Sequence, residues 1–316
     1  MKTLVIALLL TSPAVAQITQ MDGLILGQVF DRPRLAIRSV VGVPGAAYLG
    51  AAVAEELEAA VPNGSGEFLV KSTRGSLLLW RGRTATAIAS DGVKAFAWCG
   101  DHALAVQRSA PDAVDFVEWW QLGLNGLSLE KKATLDAANL TFSFLRCEAA
   151  SKNLFWGVSG SVYEMTYAEG VSNSIASIAE PLGFDVADGL AYVGDAAGRR
   201  VFELERKEGG WESKVAVESP DEDSIPVAVK ILAKGQFLVA YRSKPGSLAL
   251  FQREGYEKKG QWSLDTSPDR IEAIGKADLR QQRFLLNGRS RLDDFLMLAE
   301  IGESVQIFFI PEGGGR

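Results

Sequence analysis

A near-even beat of seven glycines, a matching set of seven strand–turn–strand hairpins and a scarcity of helix signals predict an all-β chain. The fold class is a seven-bladed β-propeller with about four antiparallel strands per blade, with six or eight blades as the alternatives. The glycines are Gly42, Gly82, Gly126, Gly170, Gly209, Gly255 and Gly302, separated by 39 to 47 residues. One four-stranded blade takes roughly 40–45 residues. Each glycine stands between two strand-like runs, as Gly209 does between residues 201–205 and 214–217. A tight turn there needs positive φ, which glycine adopts without a Cβ clash. A β-sandwich would need no such period.

The hairpins carry strands B and C of each blade: residues 24–40, 68–80, 103–119, 154–165, 190–204, 237–251 and 284–298. Their turns are rich in Asp, Gly, Pro and Ser, as in Asp195-Ala196-Ala197-Gly198 and Ser243-Lys244-Pro245-Gly246, residues that favour turn dihedrals or bond their own backbone. Strand D follows each glycine, at 84–88, 127–135, 174–178, 211–217, 261–264 and 305–310. Strand A precedes each hairpin, at 57–61, 93–98, 141–145, 184–186, 227–232 and 271–274. Residues 51–60 have helical propensity, but the rhythm makes them strand D running into strand A. The first blade is the weak one: only residues 17–23 precede its strand B, so its inner strand is short or supplied differently. Gly313-Gly314-Gly315-Arg316 should fray.

Residues 1–16 read as a signal peptide, with Lys2 in the n-region, an apolar run from Leu4 to Leu10 and Ala14-Val15-Ala16 as the cleavage signal. Seven apolar residues are too few for a membrane span, which needs about 20. Residues 17–316 then form a single exported propeller domain, periplasmic or extracellular. The net charge is −6, or −7 once Lys2 is lost. Nucleic acid is not an expected partner, because such a domain would be strongly basic. No polybasic membrane patch or later membrane span is present.

Cys99 and Cys147 both fall at the end of a strand A, in adjacent blades. Inner strands of neighbouring blades run side by side, so a disulfide here would clip blades 3 and 4 at one mouth of the channel. Oxidising compartments favour that bond. The alternative is two buried thiols.

No catalytic set emerges. His102 is the only histidine and sits on a turn beside Asp101; adjacent turn residues point apart, and a His-rich metal site is impossible. Gly157-Val158-Ser159-Gly160-Ser161 lacks the second glycine of a nucleophile elbow and lies in a hairpin. No phosphate-binding glycine loop occurs, and no cofactor is expected. The local acid clusters Asp185 with Asp188, Asp221-Glu222-Asp223 and Asp293-Asp294 lack calcium-loop spacing. Trp119-Trp120, Phe155-Trp156 and Tyr163 offer a carbohydrate platform or, on strands B and C, core between blades. Two adjacent tryptophans on a strand must face opposite sides. The sequons Asn63-Gly64-Ser65 and Asn139-Leu140-Thr141 are read as accidental.

The strongest functional pattern is electrostatic. B–C turns and D–A connections emerge on one face of a propeller. The turns are basic, with Arg32, Arg34, Lys71, Arg74, Arg108, Arg199, Arg200, Arg242, Lys244, Arg289 and Arg291. The connections are acidic, with Glu55, Glu56, Glu58, Asp91, Asp136, Glu180, Glu218, Asp221, Glu222, Asp223, Asp265 and Asp269. Interleaved rings of opposite sign form either a solvated ion-pair rim, worth little per pair, or a docking face. The candidate binding residues are Arg32, Arg34, Arg74, Arg108, Arg199, Arg200, Arg242 and Arg289.

The segment Val29-Phe30-Asp31-Arg32-Pro33-Arg34-Leu35-Ala36-Ile37-Arg38-Ser39-Val40-Val41-Gly42-Val43-Pro44-Gly45-Ala46-Ala47-Tyr48-Leu49-Gly50 resembles the opening blade of exported bacterial β-propeller proteins without assigned function. The chain is broadly similar to YVTN- and NHL-type propellers, without their diagnostic signatures. The resemblance implies a secreted bacterial propeller and carries no catalytic residue. The expectation is a non-enzymatic binding scaffold acting through its loop face, on a protein or on an anionic small-molecule or glycan ligand. The alternative is a lactonase-type hydrolase with a carboxylate-held metal at the propeller axis.

Overall fold

The computed structural model describes residues 24–63, 65–82, 84–89, 92–100, 103–109, 115–123, 126–135, 141–274, 282–287 and 296–313. Among them the strands form seven antiparallel sheets arranged as seven blades, six of four strands and one of three. Each sheet follows chain order outward from strand A to strand D. Blade 1 comprises Ile25–Asp31, Ala36–Val41 and Tyr48–Ala54, which are strands B, C and D. Residues 17–23 lie outside the described residues. The run at 51–60 is strand, broken only at Ala54–Leu57, where Glu56 takes φ 58° to make the turn.

The glycine beat falls on the C–D side of every blade. Gly42, Gly82, Gly170 and Gly255 have positive φ, whereas in blade 5 Gly210 rather than Gly209 supplies it. One glycine serves packing instead. A Cβ on Gly183 would come within 2.4 Å of the Ala228 Cα, so only glycine lets the inner strands of blades 5 and 6 lie this close.

Burial explains why the blades assemble. Alternate residues of each strand point to opposite faces of the sheet, and each face is covered by the next blade. The buried apolar side chains accordingly fall into seven clusters, one at each blade junction. Trp119 joins the cluster between blades 3 and 4, while Trp120 packs on the one between blades 2 and 3. Phe155 and Trp156 split in the same way, and Trp156 stacks on Tyr163 at 5.6 Å between ring centres. These aromatics are core, and the carbohydrate platform is not formed by them.

Buried carboxylates add polar staples. Glu164 on strand C of blade 4 accepts hydrogen bonds from Arg206 and Trp211 of blade 5. Glu203, the corresponding residue of blade 5, accepts from Tyr192 at 2.5 Å and from Arg253 of blade 6 at 3.3 Å. Burial opposes ionisation of Glu203, but the bonds from Tyr192, Arg253 and Lys214 outweigh it and hold its carboxyl below the usual range.

The ring closes on its own tail. The Leu49 amide donates to Pro311 O at 2.9 Å, and the Gly313 amide donates to Leu49 O at 3.0 Å. Gly313 is therefore docked rather than frayed, a correction to the sequence expectation; residues 314–316 lie outside the described residues. Arg38, buried in blade 1, donates to Glu312 at 2.8 Å and to Asp31 at 3.1 Å. Asn287 of blade 7 reaches Phe30 O at 3.2 Å.

Candidate functional site

Among the described residues six inner strands surround the channel: Leu57–Pro62, Val93–Trp98, Phe144–Cys147, Pro181–Ala187, Ile225–Leu232 and Arg270–Ala273. The cavity they line measures about 620 Å³. Most of the wall is small and apolar, as at Ala95, Ala97, Gly183 and Ala228. Single charged residues interrupt it: Lys94, Arg146, Asp185, Lys230, Arg270 and Glu272.

Most of these charges are neutralised locally. Lys94 bonds both carboxylate oxygens of Asp115 at 2.9 Å. Lys230 lies 3.0 Å from Asp185 Oδ1, while Asp185 Oδ2 accepts the Ile231 amide, tying blade 5 to blade 6. At the rim, Arg242 pairs with Asp269 at 2.8 Å. Arg270 Nη1 stands 3.8 Å from Glu272 Oε1, and Glu272 Oε2 has no hydrogen-bond partner among the described residues.

Arg146 is different. Its one hydrogen bond among the described residues runs from Nη1 to Leu145 O at 3.1 Å, and no described carboxylate lies within ion-pair distance. The side chain is exposed to water in the channel, with the surrounding blades enclosing it at longer range. That desolvation lowers its pKa; Asp185 and Glu272 pull the other way, and Arg270 adds repulsion. Arg270 and Glu272 belong to blade 7, on the far wall of the cavity that Arg146 also lines. It remains charged at any physiological pH. Burial likewise pushes the Glu272 carboxyl up, against the pull of Arg270 and Arg146.

The disulfide joins Cys99 and Cys147 at the end of the same inner strands, with a Cα–Cα distance of 4.8 Å. It clips blades 3 and 4 directly beside Arg146.

The opposite face carries the B–C turns and the D–A connections, and backbone bonds tie one to the other. Leu57 bonds Leu35 O, Thr73 bonds Glu56 O, and Ser219 bonds Arg199 O, at 2.8 to 2.9 Å. Of the arginines read from the sequence, Arg34 pairs with Glu312 and Asp31, Arg108 with Glu118, Arg200 with Asp195, and Arg242 with Asp269. Arg32, Arg74 and Arg199 are exposed and have no carboxylate within ion-pair distance among the described residues. Lys71 pairs with Glu58 at 2.9 Å. Arg289, Arg291, Asp91 and Asp136 lie outside the described residues, as do His102, Asp293 and Asp294.

The remaining candidates have structural roles. Ser159 and Gly160 form the B–C turn of blade 4 between Leu154–Val158 and Ser161–Met165. Asn63 is buried, and its Oδ1 accepts the Ser65 and Glu67 amides, which removes it as a glycan acceptor. Asp185 and Asp188 part company: one lines the channel and the other sits exposed on the A–B turn. Among the described residues no three His, Cys, Asp or Glu side chains gather as a metal site. Of the channel charges only Asp185 stood out in the sequence; Lys94, Arg146, Asp185 and Lys230 are each the one charge on an otherwise largely apolar strand A, as in Val93-Lys94-Ala95-Phe96, whereas Arg270 and Glu272 share theirs.

No protein-family model matches the chain, and no curated protein does. Solved structures share the fold. A Lactobacillus plantarum protein superposes with TM-score 0.62 at 12% identity, covering 92% of this chain and 96% of that one. A chain of a mitotic checkpoint complex gives 0.55 at 11%, covering 97% and 99%. Saccharomyces cerevisiae Sqt1 gives 0.52 at 10%, covering 92% and 97%. These similarities establish the class, a β-propeller.

Proposed function

We propose that this chain is an exported, non-enzymatic binding scaffold that docks a protein partner on the face formed by its B–C turns and D–A connections. One observation carries the reading: the exposed cations Arg32, Arg74 and Arg199 on that face have no ion-pair partner among the described residues. Exposed acids without such a partner, among them Glu55, Glu180, Glu218 and Asp221, stand between them. A mosaic of unspent charge steers encounter with a complementary surface and fixes its register. The short backbone bonds between turns and connections hold the mosaic rigid, which lowers the ordering cost of binding. Export is supported by the leader-like residues 1–16 and by the disulfide, a bond of oxidising compartments.

The test is affinity capture from the exported fraction of the native host with three proteins. These are the wild type, the triple variant Arg32→Glu, Arg74→Glu, Arg199→Glu, and a variant reversed on the opposite face, Lys207→Glu with Lys259→Glu. A partner held by the wild type and the opposite-face variant, but lost by the triple variant, supports the proposal. A partner retained by the triple variant refutes it. Stoichiometric calcium or zinc together with lactone hydrolysis would instead favour the axial hydrolase.

A further inference from the structure

The channel holds a cation, Arg146, with no ion-pair partner among the described residues. Of the charged groups in its wall, Lys94, Lys230 and Arg242 each have a carboxylate oxygen within 3.0 Å, and Arg270 has one at 3.8 Å. Arg146 has none among the described residues. Arg146 is exposed to the open channel, so water solvates its charge, and an entering anion exchanges that water for charge-assisted hydrogen bonds to the guanidinium. Of its five N–H donors, only one is used, by Leu145 O. The planar fork fits a carboxylate or phosphate through two parallel bonds.

The surroundings also suit a ligand. A cavity of about 620 Å³ is in the size range that takes small organic molecules. Alanine and glycine at positions 95, 97, 183 and 228 leave the centre open. Arg270 stands on the far wall, near enough to Arg146 to influence its titration. The neighbouring carboxylates do not compete strongly. Asp185 is occupied by Lys230 and the Ile231 amide, and Glu272 is pushed toward its neutral form by burial.

We propose that the propeller channel is a binding site for a small organic anion, whose carboxylate or phosphate group is held by Arg146 with Arg270 facing it across the channel. The site is separate from the protein-docking face and does not depend on it. The anion inserts from the channel mouth, and the disulfide beside Arg146 keeps the cationic wall fixed when the site is empty.

Isothermal titration at low salt tests this, with citrate as the tricarboxylate probe, glucose 6-phosphate as the phosphate ester and glucose as the neutral control. The expected result is one-to-one binding of at least one anion at roughly millimolar Kd or tighter, and no binding of glucose. Whichever anion binds identifies the carboxylate or the phosphate source. Arg146→Gln should weaken that binding at least tenfold and Arg270→Gln severalfold, while Lys259→Gln, away from both the channel and the docking face, leaves it unchanged. Absence of anion binding overturns the proposal, as does equal binding by Arg146→Gln or an equal loss in Lys259→Gln. If Arg146→Gln does not fold, bromide-soaked crystals of the wild type decide. An anomalous peak at the Arg146 guanidinium supports the site, and bromide on surface arginines alone refutes it. Retention of the protein partner by the triple docking-face variant, with anion binding intact, would defeat the docking proposal and leave this one standing.

Discussion

Between blades 3 and 4 the chain is continuous and a disulfide joins their inner strands, whereas between blades 7 and 1 the chain's two ends meet without a covalent link. The first junction has Cys99–Cys147, with Trp119 buried beside it and its indole bonded to Lys152 O at 3.1 Å. The second has a shared apolar cluster from Val29 and Leu49 to Leu298 and Ile310, the Arg38 ion pairs and the docked tail. When the ring unfolds as a whole, every junction is lost, whichever one opens first. Covalent reinforcement can therefore sit away from the closing seam and still protect it, by lowering the entropy of the open chain.

Removing the disulfide tests this most severely. The variant Cys99→Ser, Cys147→Ser should lose about 4 kcal/mol in denaturant unfolding, the chain-entropy value for a loop of 48 residues. A loss below about 1 kcal/mol would mean that the 3–4 junction does not need its clip. Next, Arg38→Met should cost about 3 kcal/mol, the order for deleting one partner of a buried ion pair. Equal unfolding curves for this variant and the wild type would show that the closing seam is held by its apolar cluster alone. Smaller again, Glu203→Gln should cost about 2 kcal/mol by weakening the staple between blades 5 and 6. Its effect should be additive with Arg38→Met, since distant junctions share no partners.

The smallest effect concerns pH. Burial raises the folded-state pKa of Glu272. Below the ordinary glutamate range the group is protonated folded or unfolded and costs nothing. As pH rises through that range only the unfolded chain ionises, so the folded state loses relative stability until its own pKa is passed. Glu272→Gln should therefore raise Tm near pH 8 and leave it unchanged near pH 4. A gain that is equal at both values would assign the effect to packing.

Local signals carried most of the architecture. Glycines at C–D turns, alternating strands and cysteines at equivalent positions are all properties of short segments, so the seven blades and the clipped pair could be read directly. Arg146, Arg270 and Glu272 were not legible as a group, because they meet only across an axis that exists once the ring is closed. The Glu164 and Glu203 staples stayed hidden for a related reason: their partners lie 42 to 50 residues away in the next blade. The docked Gly313 was missed because glycine-rich ends usually fray, and here a strand of another blade offers Leu49 as partner.

That tail has one more consequence. Tyr48–Ala54 is the outermost strand of blade 1 and contains no charged residue. Bare sheet edges recruit strands from other molecules, and proteins guard them with charge, bulges or cover. By lying along Leu49, the segment from Pro311 to Gly313 works as a shield against self-association as well as a fastener. A protein shortened after Ile310 would first betray the loss by forming oligomers at high concentration.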